Sequence, residues 1–319
     1  MAFKKEKDIS GNDLGFGNKA TVNNQRIMNR DGSSNINRTG LPFLRTSDTY
    51  NSLIKMSWTK FGLLILVSYI IINLFFASLY VWIGIEFIEG SRGKNPADQF
   101  FDAFFFSAQT ISTVGYGHLS PTGMATSILA AFESMLGLMT FALATGLLYG
   151  RFSKPSAKIK YSKNMIVAPY MEGKGLMFRL ANYRNNQLID IEVQVLLSIN
   201  ETKEDKVSRQ FYTLELERSH INMLTLSWTV VHPLDDKSPL WGLKPEDLDE
   251  GDVELIVLLK AFDDTFSQTV HSRTSYQYEE IVWNAKFVPI IEPNKDGILS
   301  LNMAGLSDFE KLDVSSNNH

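Results

Sequence analysis

Two long apolar stretches dominate the first half of the chain. Residues 61–84 carry no charged side chain, and residues 121–152 carry one acidic residue, Glu133, within an apolar run. At about 1.5 Å per residue, each stretch is long enough to cross the roughly 30 Å hydrocarbon core of a bilayer. The pattern therefore predicts two transmembrane helices, the outer helix (61–84) and the inner helix (121–152). Tyr80 and Trp82 near the end of the outer helix are expected to be interfacial anchors.

The segment between the two predicted spans begins as a polar loop and then becomes aromatic. Glycine and proline interrupt residues 86–98, whereas residues 100–112 form an aromatic run that is too short to span a membrane. We expect this run to form a re-entrant helix, buried in protein, that ends at the loop 113–117. The negative end of its dipole would then face that loop. Residues 60–153 are thus predicted to form one membrane domain.

The chain ahead of the outer helix is polar up to about residue 45. Residues 1–45 hold few large apolar side chains and are expected to be mobile. Residues 46–59 are amphipathic, which favours a short helix in the membrane interface, although a linker helix packed on protein would show the same pattern. The apolar face of this helix comprises Tyr50, Leu53, Ile54 and Trp58.

Beyond residue 153 the period of the pattern changes from helical to alternating. Short alternating segments are separated by Asn, Gly, Asp and Pro turns, which predicts an antiparallel, immunoglobulin-like β-sandwich over residues 154–300. A polar tail, 301–319, follows. The predicted strands are 191–199, 210–216, 224–231, 253–259, 268–276 and 281–291. The fold class is therefore a membrane α domain joined to a soluble all-β domain.

Composition excludes several classes of function. The chain has no cysteine, which rules out disulfides, thiolate metal sites and cysteine catalysis. A net charge of -4 and a pI near 5.8 argue against nucleic-acid binding. The five histidines are scattered, with no nucleophile–base arrangement, so neither an enzyme nor a cofactor is expected. The first forty residues are polar, and no cleavable signal peptide is expected.

The loop after the aromatic run reads Thr113, Val114, Gly115, Tyr116 and Gly117. A potassium ion loses its water shell only where other oxygens replace it, as four loops with inward-pointing carbonyls can do. The two glycines permit the unusual φ angles of such a loop, the threonine hydroxyl can add a ligand, and the valine and tyrosine can brace the loop from behind. One loop cannot surround an ion, so a homotetramer is required. The motif resembles potassium-channel selectivity filters; an ordinary glycine turn is the alternative.

Residues 31–300 as a whole resemble the inward-rectifier potassium channels. The matching segments are Leu-Met-Phe-Arg-Leu-Ala-Asn at 176–182, Trp-Thr-Val-Val-His-Pro-Leu-Asp at 228–235, Ser-Pro-Leu at 238–240, Arg-Thr-Ser-Tyr at 273–276 and Glu-Ile-Val-Trp at 280–283. Asp31, Gly32 and Asn35 resemble the family's N-terminal strand, so the resemblance implies a short strand near 31–37 that pairs with the β domain.

The resemblance also implies a pore lining on the inner helix. The implied residues are Ser134, Leu138, Phe141, Thr145 and Tyr149. Phe141 and Tyr149 would close the pore by dewetting it, although ordinary helix packing gives the same spacing. Gly137 offers a gating hinge at mid-membrane. Phe262 falls where the family narrows the cytoplasmic part of the pore.

The basic residues that flank the spans on the terminal sides have no matching excess in the connecting loop. They are Arg45, Lys55, Lys60, Arg151, Lys154, Lys158 and Lys160. The positive-inside rule then predicts a multi-pass protein of the inner (plasma) membrane with both termini cytoplasmic. Arg151 and Lys154 match positions where the family holds anionic lipid headgroups; anchoring by charge alone is the alternative.

Several departures from the family pattern indicate a bacterial, KirBac-type member. The eukaryotic extracellular disulfide cannot form, and a Glu–Arg pair around the filter is replaced by Gln109 and Leu119. Phe141 and Lys260 stand where acids would hold polyamines or Mg²⁺, so weak block by polyamines is predicted; Mg²⁺ and Ba²⁺ are the other candidate blockers. Glu133 should face protein or water, since a carboxylate in lipid is costly, and could support the filter together with Gln109.

Two other functions remain open on the sequence alone. A two-span receptor with a ligand-binding β domain would explain the spans but not the filter motif. A less selective cation channel would explain both, although Tyr116 counts against it. His118, just beyond the filter, is interpreted as a residue of the pore mouth rather than a metal ligand.

Overall fold

The computed structural model describes residues 26–36, 46–153, 157–203, 206–293 and 299–312. The chain divides into two compact units. The membrane unit comprises Gly40–Lys154, and the β unit comprises Met1–Thr39 together with Pro155–His319. Most of the segment expected to be mobile, 1–45, lies outside the described residues, as do Lys154 and the last part of the tail.

Four helices build the membrane unit. They are the interfacial helix Thr46–Lys55, the outer helix Trp58–Ile83, the pore helix Pro96–Ile111 and the inner helix Met124–Phe152. Among the described residues, the outer and inner helices are the two that are long and apolar enough to cross a membrane. Short strands, β1 (Ile88–Glu89) and β2 (Ser120–Pro121), pair where the loops beside the pore helix meet.

Three predicted helix boundaries were wrong, each for a local reason. Trp58 belongs to the outer helix, because the Ser57 hydroxyl accepts a hydrogen bond from the Lys60 N–H and begins a new helix there. The pore helix begins at Pro96 rather than at residue 100, because Asn95 caps the helix and Pro96 suits its first turn. Pro121 pairs with Ile88, so the inner helix begins three residues later than expected.

The β unit contains two five-stranded sheets. In chain order its strands are β3 Ile159–Tyr161, β4 Met165–Tyr170, β5 Gly173–Asn182, β6 Leu188–Lys203, β7 Lys206–Leu214, β8 His220–Met223, β9 Ser227–Leu234, β10 Glu254–Asp263, β11 Gln268–Gln277, β12 Ile281–Trp283, β13 Ala285–Phe287, β14 Ile291–Pro293, β15 Leu299–Leu301 and β16 Phe309–Lys311. One sheet has the order β11-β10-β6-β7 with β8 beside β6, and the other β12-β4-β5-β3 with β9 beside β5. A short helix, Pro245–Glu250, precedes β10.

Alternate residues of the strands fill a single core between the two sheets. On β10, Leu255, Val257 and Leu259 point into it, and the same alternation runs along β5 and β6. The expectation of an antiparallel sandwich needs one correction, since β12 pairs in parallel with β4. The predicted strand 281–291 is likewise broken, because Asn284 has φ +54° and interrupts the ladder between β12 and β13.

Residues 26–36 pack on the outer face of the sheet formed by β6 and β10. Met28 is buried against Leu196 and Ile256, and the Glu254 carboxylate accepts the backbone N–H groups of residues 27 and 28 at 2.7 and 3.1 Å. The strand expected near 31–37 was wrong. The segment is a tight turn closed by one bridge between Met28 and Ser34. It has this form because side chains such as Arg26 and Ser275, rather than a backbone ladder, hold it to the β unit.

Candidate ion-conduction site

The loop 113–117 alternates in backbone conformation. Thr113, Gly115 and Gly117 have φ of 59°, 55° and 82°, whereas the residues between them do not have positive φ. Such alternation turns successive N–H groups towards one side of the chain. Among the described residues, no hydrogen-bond donor reaches the carbonyl oxygens of residues 113–116. The loop therefore presents a row of free acceptors that could replace water around a cation.

Gln109 holds the opposite side of this loop. Its backbone carbonyl accepts the N–H groups of Val114 (3.0 Å) and Gly115 (3.4 Å), and its side-chain oxygen accepts that of Tyr116 (3.1 Å). Its side-chain nitrogen donates to the carbonyl of Leu119 at 3.3 Å. The neutral side-chain amide of Gln109 thus connects Tyr116 of the loop with Leu119 beyond it, so no charged pair is needed for this contact. The residue is buried, so these bonds are shielded from water.

The pore helix ends directly before this loop, at Ile111. Its last carbonyls carry the negative end of the helix dipole towards residues 112–115. Gly137 of the inner helix is buried beside the end of the pore helix. The two helices are so close here that a Cβ added to residue 137 would collide with the carbonyl of Ile111. The structure thus gives Gly137 a packing role, in which the inner helix lies close to the end of the pore helix. The inner helix continues through this position, and a hinge here stays a prediction.

Glu133 lies behind the pore helix in a buried polar cluster. Its carboxylate accepts hydrogen bonds from Tyr80 of the outer helix (2.6 Å) and from Ser107 of the pore helix. Ser107 also lies 3.0 Å from the side-chain oxygen of Asn73. Glu133, Ser107 and Asn73 are fully buried within the single chain. The cluster, called the Glu133 cluster below, connects all three long helices and contacts the filter loop only through the pore helix.

The predicted pore-lining residues share one face of the inner helix. Leu138, Phe141, Thr145 and Tyr149 are exposed, whereas Ser134 is partly buried. A neighbouring stripe, about a quarter turn around the helix, carries the buried positions Thr126, Ala130, Glu133 and Gly137. The exposed side chains of Phe141 and Tyr149 are each 75% accessible in the single chain, so a large aromatic surface is left for another surface to cover.

Of the two residues predicted to bind lipid headgroups, the structure describes only Arg151. Lys154 lies outside the described residues. The Arg151 guanidinium is directed at the end of the interfacial helix, where it donates to backbone carbonyls including that of Met56 at 2.7 Å. It also lies over the rings of Trp58 and Phe61.

In the β unit, Phe262 lies near the end of β10 and is partly buried. Residues 261–263 belong to that strand, so Phe262 lies on β10 itself and the turn begins after Asp263. Lys260 lies 3.7 Å from Glu192 in an exposed ion pair.

Sequence reasoning missed the partners of Glu133. Tyr80 was expected to be an interfacial anchor but is fully buried, because its hydroxyl is used by the carboxylate. Asn73 was the available signal, since it is the one amide side chain in the apolar run of the outer helix. A polar group in a transmembrane helix is expected to find a partner on a neighbouring helix.

Comparison with known proteins agrees with this geometry. Residues 59–154 match the family description "Ion channel", and residues 159–318 match "Inward rectifier potassium channel C-terminal domain". The chain is 38% identical over 289 residues to the inward rectifier potassium channel Kirbac3.1 of Paramagnetospirillum magnetotacticum, which covers 90% of this chain and 96% of that protein. It is 28% identical over 309 residues to the ATP-sensitive inward rectifier potassium channel 15 of Rattus norvegicus, covering 90% and 76%. It is 25% identical over 304 residues to the G protein-activated inward rectifier potassium channel 4 of Mus musculus, covering 85% and 70%.

These matches, with the two spans and the all-β domain, define a membrane-embedded ion channel. The chain belongs to the inward rectifier potassium channel family.

Proposed function

We propose that this chain conducts potassium through a homotetrameric pore whose filter is formed by the backbone carbonyls of residues 113–116. The observation that carries the proposal is the alternating loop, in which N–H groups are bound by Gln109 and carbonyls are free. Four such loops around an axis would replace the hydration shell of the ion. Val114 and Tyr116 support a tetramer, because they are 53% and 77% exposed in the single chain and need a neighbouring subunit to cover them.

The gate in this proposal is the exposed face of the inner helix. In a tetramer, Phe141 and Tyr149 would project towards the axis, and an apolar constriction excludes ions by dewetting. Phe262 is proposed as a second narrowing in the β unit, since it lies near the end of β10. Gly137 is needed for close packing in the described state, and bending there would have to disturb its contact with Ile111.

The proposed orientation places both termini in the cytoplasm and the filter outside. Basic residues flank the two spans on the terminal sides, as the positive-inside rule requires. The plasma membrane is the proposed location, and the charged flanks favour anionic lipid around the channel. Block by polyamines or Mg²⁺ is proposed to be weak, because Phe141 is apolar and Lys260 is a cation beside Glu192.

The proposal is tested by rubidium uptake into liposomes that contain the purified protein. We expect rubidium uptake that is driven by a potassium gradient and blocked by barium, and that a sodium gradient does not support. Equal sodium and potassium uptake would contradict the filter. If no uptake is observed, Tyr149→Ala should widen the constriction and restore it, and a silent Tyr149→Ala would contradict the proposed pore.

A further inference from the structure

The interfacial helix ends at carbonyl groups that have no partner within that helix. The last four carbonyls of any helix lack intrahelical donors, and they carry the negative end of its dipole. Arg151 lies next to the last residue of the inner helix and supplies the missing donors. Its Nη1 donates to the carbonyls of Leu53 and Ile54, the latter at 3.2 Å, and its Nη2 donates to that of Met56 at 2.7 Å.

The same guanidinium packs against the first turn of the outer helix. Its central carbon lies 4.6 Å from the ring centroid of Trp58 and 4.4 Å from that of Phe61, which are cation–π distances. Trp58 also packs against Phe152, with ring centroids 5.0 Å apart. One side chain therefore joins the ends of three helices. We call this group of contacts the Arg151 clamp.

The clamp requires arginine rather than any basic residue. A guanidinium is planar, and it can donate to several carbonyls while it stacks on rings, whereas an ammonium is a compact, strongly hydrated charge. The Nε atom of Arg151 is buried and has no hydrogen-bond partner among the described residues. These contacts leave less of the cation available to a lipid headgroup than an exposed basic residue would offer.

The clamp lies two residues beyond Tyr149, at the end of the proposed gate. We propose that Arg151 is a positioning residue, which fixes the C-terminal end of the inner helix to the interfacial and outer helices rather than binding a lipid headgroup. This inference rests on the proposed channel function for its effect on conduction. The contacts themselves can be tested without conduction.

The test compares Arg151→Lys, Arg151→Gln and Lys60→Gln in the full-length protein reconstituted into liposomes. Hydrogen–deuterium exchange of residues 46–60 reports the clamp, since freeing a helix end increases local opening. Rubidium uptake in vesicles with increasing phosphatidylglycerol reports gating and lipid dependence. Lys60→Gln is the matched control, because it removes an exposed charge at the start of the outer helix without touching the clamp.

The clamp predicts that both Arg151 variants exchange at least about threefold faster over residues 46–60. Both should change uptake at every lipid composition while keeping the wild-type dependence on phosphatidylglycerol, and the control should match wild type. Trp58→Leu should have a smaller effect in the Arg151→Gln background than alone, because the two residues act together. If neither the wild type nor Tyr149→Ala shows uptake, the proposed function fails, and the exchange data still decide whether the clamp exists.

Three results would overturn the inference. Arg151→Lys could behave as wild type while Arg151→Gln loses its dependence on phosphatidylglycerol, which would identify Arg151 as a headgroup ligand. Unchanged exchange in both variants would show that the clamp does not hold the helices. Faster exchange with unaltered uptake would reduce the clamp to a stabilising contact with no part in gating.

Discussion

The two units of this chain place their large apolar side chains differently. The β unit buries Leu, Val and Ile between its sheets, as a domain in water does, because apolar surface is driven out of water. The membrane unit has a small apolar core around Phe76 and Phe106 and also buries polar side chains such as Glu133, while large apolar residues of the outer helix, such as Leu63, are exposed. In lipid there is no hydrophobic force between helices, so polar groups and close packing hold them together. In the membrane unit, burial thus identifies close packing and polar links between helices in addition to an apolar core.

The sharpest test of this comparison is Gly137→Ala. The added Cβ would collide with the carbonyl of Ile111, directly before the filter, and backbone atoms cannot move aside cheaply. Overpacking of this kind typically costs about 1–3 kcal/mol, so we expect rubidium uptake to fall by about tenfold or more. Gly146→Ala is the control on the same helix, because a Cβ there comes within 4 Å of no atom of another described element. Equal effects of the two substitutions would show that close packing at Gly137 is not special.

The next largest effect is expected at Glu133. Replacement by Leu would leave the Tyr80 hydroxyl buried without its acceptor, at a cost of about 1–3 kcal/mol, whereas Ser107 could still donate to Asn73. We expect Glu133→Leu to lower both the thermal stability of the protein and the preference for potassium over sodium in the proposed pore. Glu133→Gln should stay close to wild type, since hydroxyls can donate to its oxygen and accept from its nitrogen. A stable, selective Glu133→Leu channel would show that the cluster is dispensable.

The same substitution in both units gives a direct contrast. Leu255 is fully buried in the β unit, whereas Leu63 of the outer helix is 59% exposed. Leu255→Ala is expected to cost about 2–5 kcal/mol and to lower the apparent midpoint of thermal unfolding of the β unit by about 5–15 °C. Leu63→Ala should change it by less than about 2 °C. Similar shifts for both would remove the distinction between the two kinds of interior.

The smallest effect is a pH dependence in the β unit. His232 is buried, with ring nitrogens 2.6 Å from the Glu215 carbonyl and 2.8 Å from the Ser238 hydroxyl. Burial lowers the pKa of His232, against the opposing influence of the Glu215 carbonyl and of Asp235. In the unfolded chain this histidine binds a proton near pH 6.5, whereas in the folded chain it does so only at lower pH. The free energy of unfolding should therefore fall as the pH drops below about 6.5.

His232→Gln should weaken this acid sensitivity, measured as the change in unfolding midpoint between pH 7.5 and 5.5. His271→Gln, at an exposed position on β11, is the matched control and should leave the sensitivity unchanged. An identical pH response in all three proteins would remove His232 as its source.

The strong local signals of the chain made much of the architecture predictable. Long apolar runs define spans by length alone, and alternation identified the strand segments around 191–199 and 253–259. The start of the pore helix was also predictable, since Asn95 followed by Pro96 is a typical helix start. The prediction at residue 100 followed the beginning of the aromatic run instead. The break in the strand at Asn284 could not be predicted from the sequence, because a single asparagine is compatible with a strand or a turn.

Side-chain partners were the least predictable part of the candidate site. Arg151 looks like any basic residue after a span, and its role depends on where the interfacial helix ends in space. Gly137 looks like a hinge from the sequence, while its close approach to Ile111 depends on the packing of two helices. Gln109 was identified through a departure from the family pattern, but only the folded loop shows how one amide contacts both Tyr116 and Leu119.

In the proposed function, the free carbonyls of the loop held by Gln109 select potassium. The most direct measurement is the reversal potential of the purified protein in a planar bilayer, with potassium on one side and an equal concentration of sodium on the other. The account predicts a large reversal potential, of the sign that potassium permeation alone would produce. It also predicts that Gln109→Leu, which removes the bond to the Tyr116 N–H, shifts this potential towards zero. A reversal potential of zero in the wild-type protein would contradict the account.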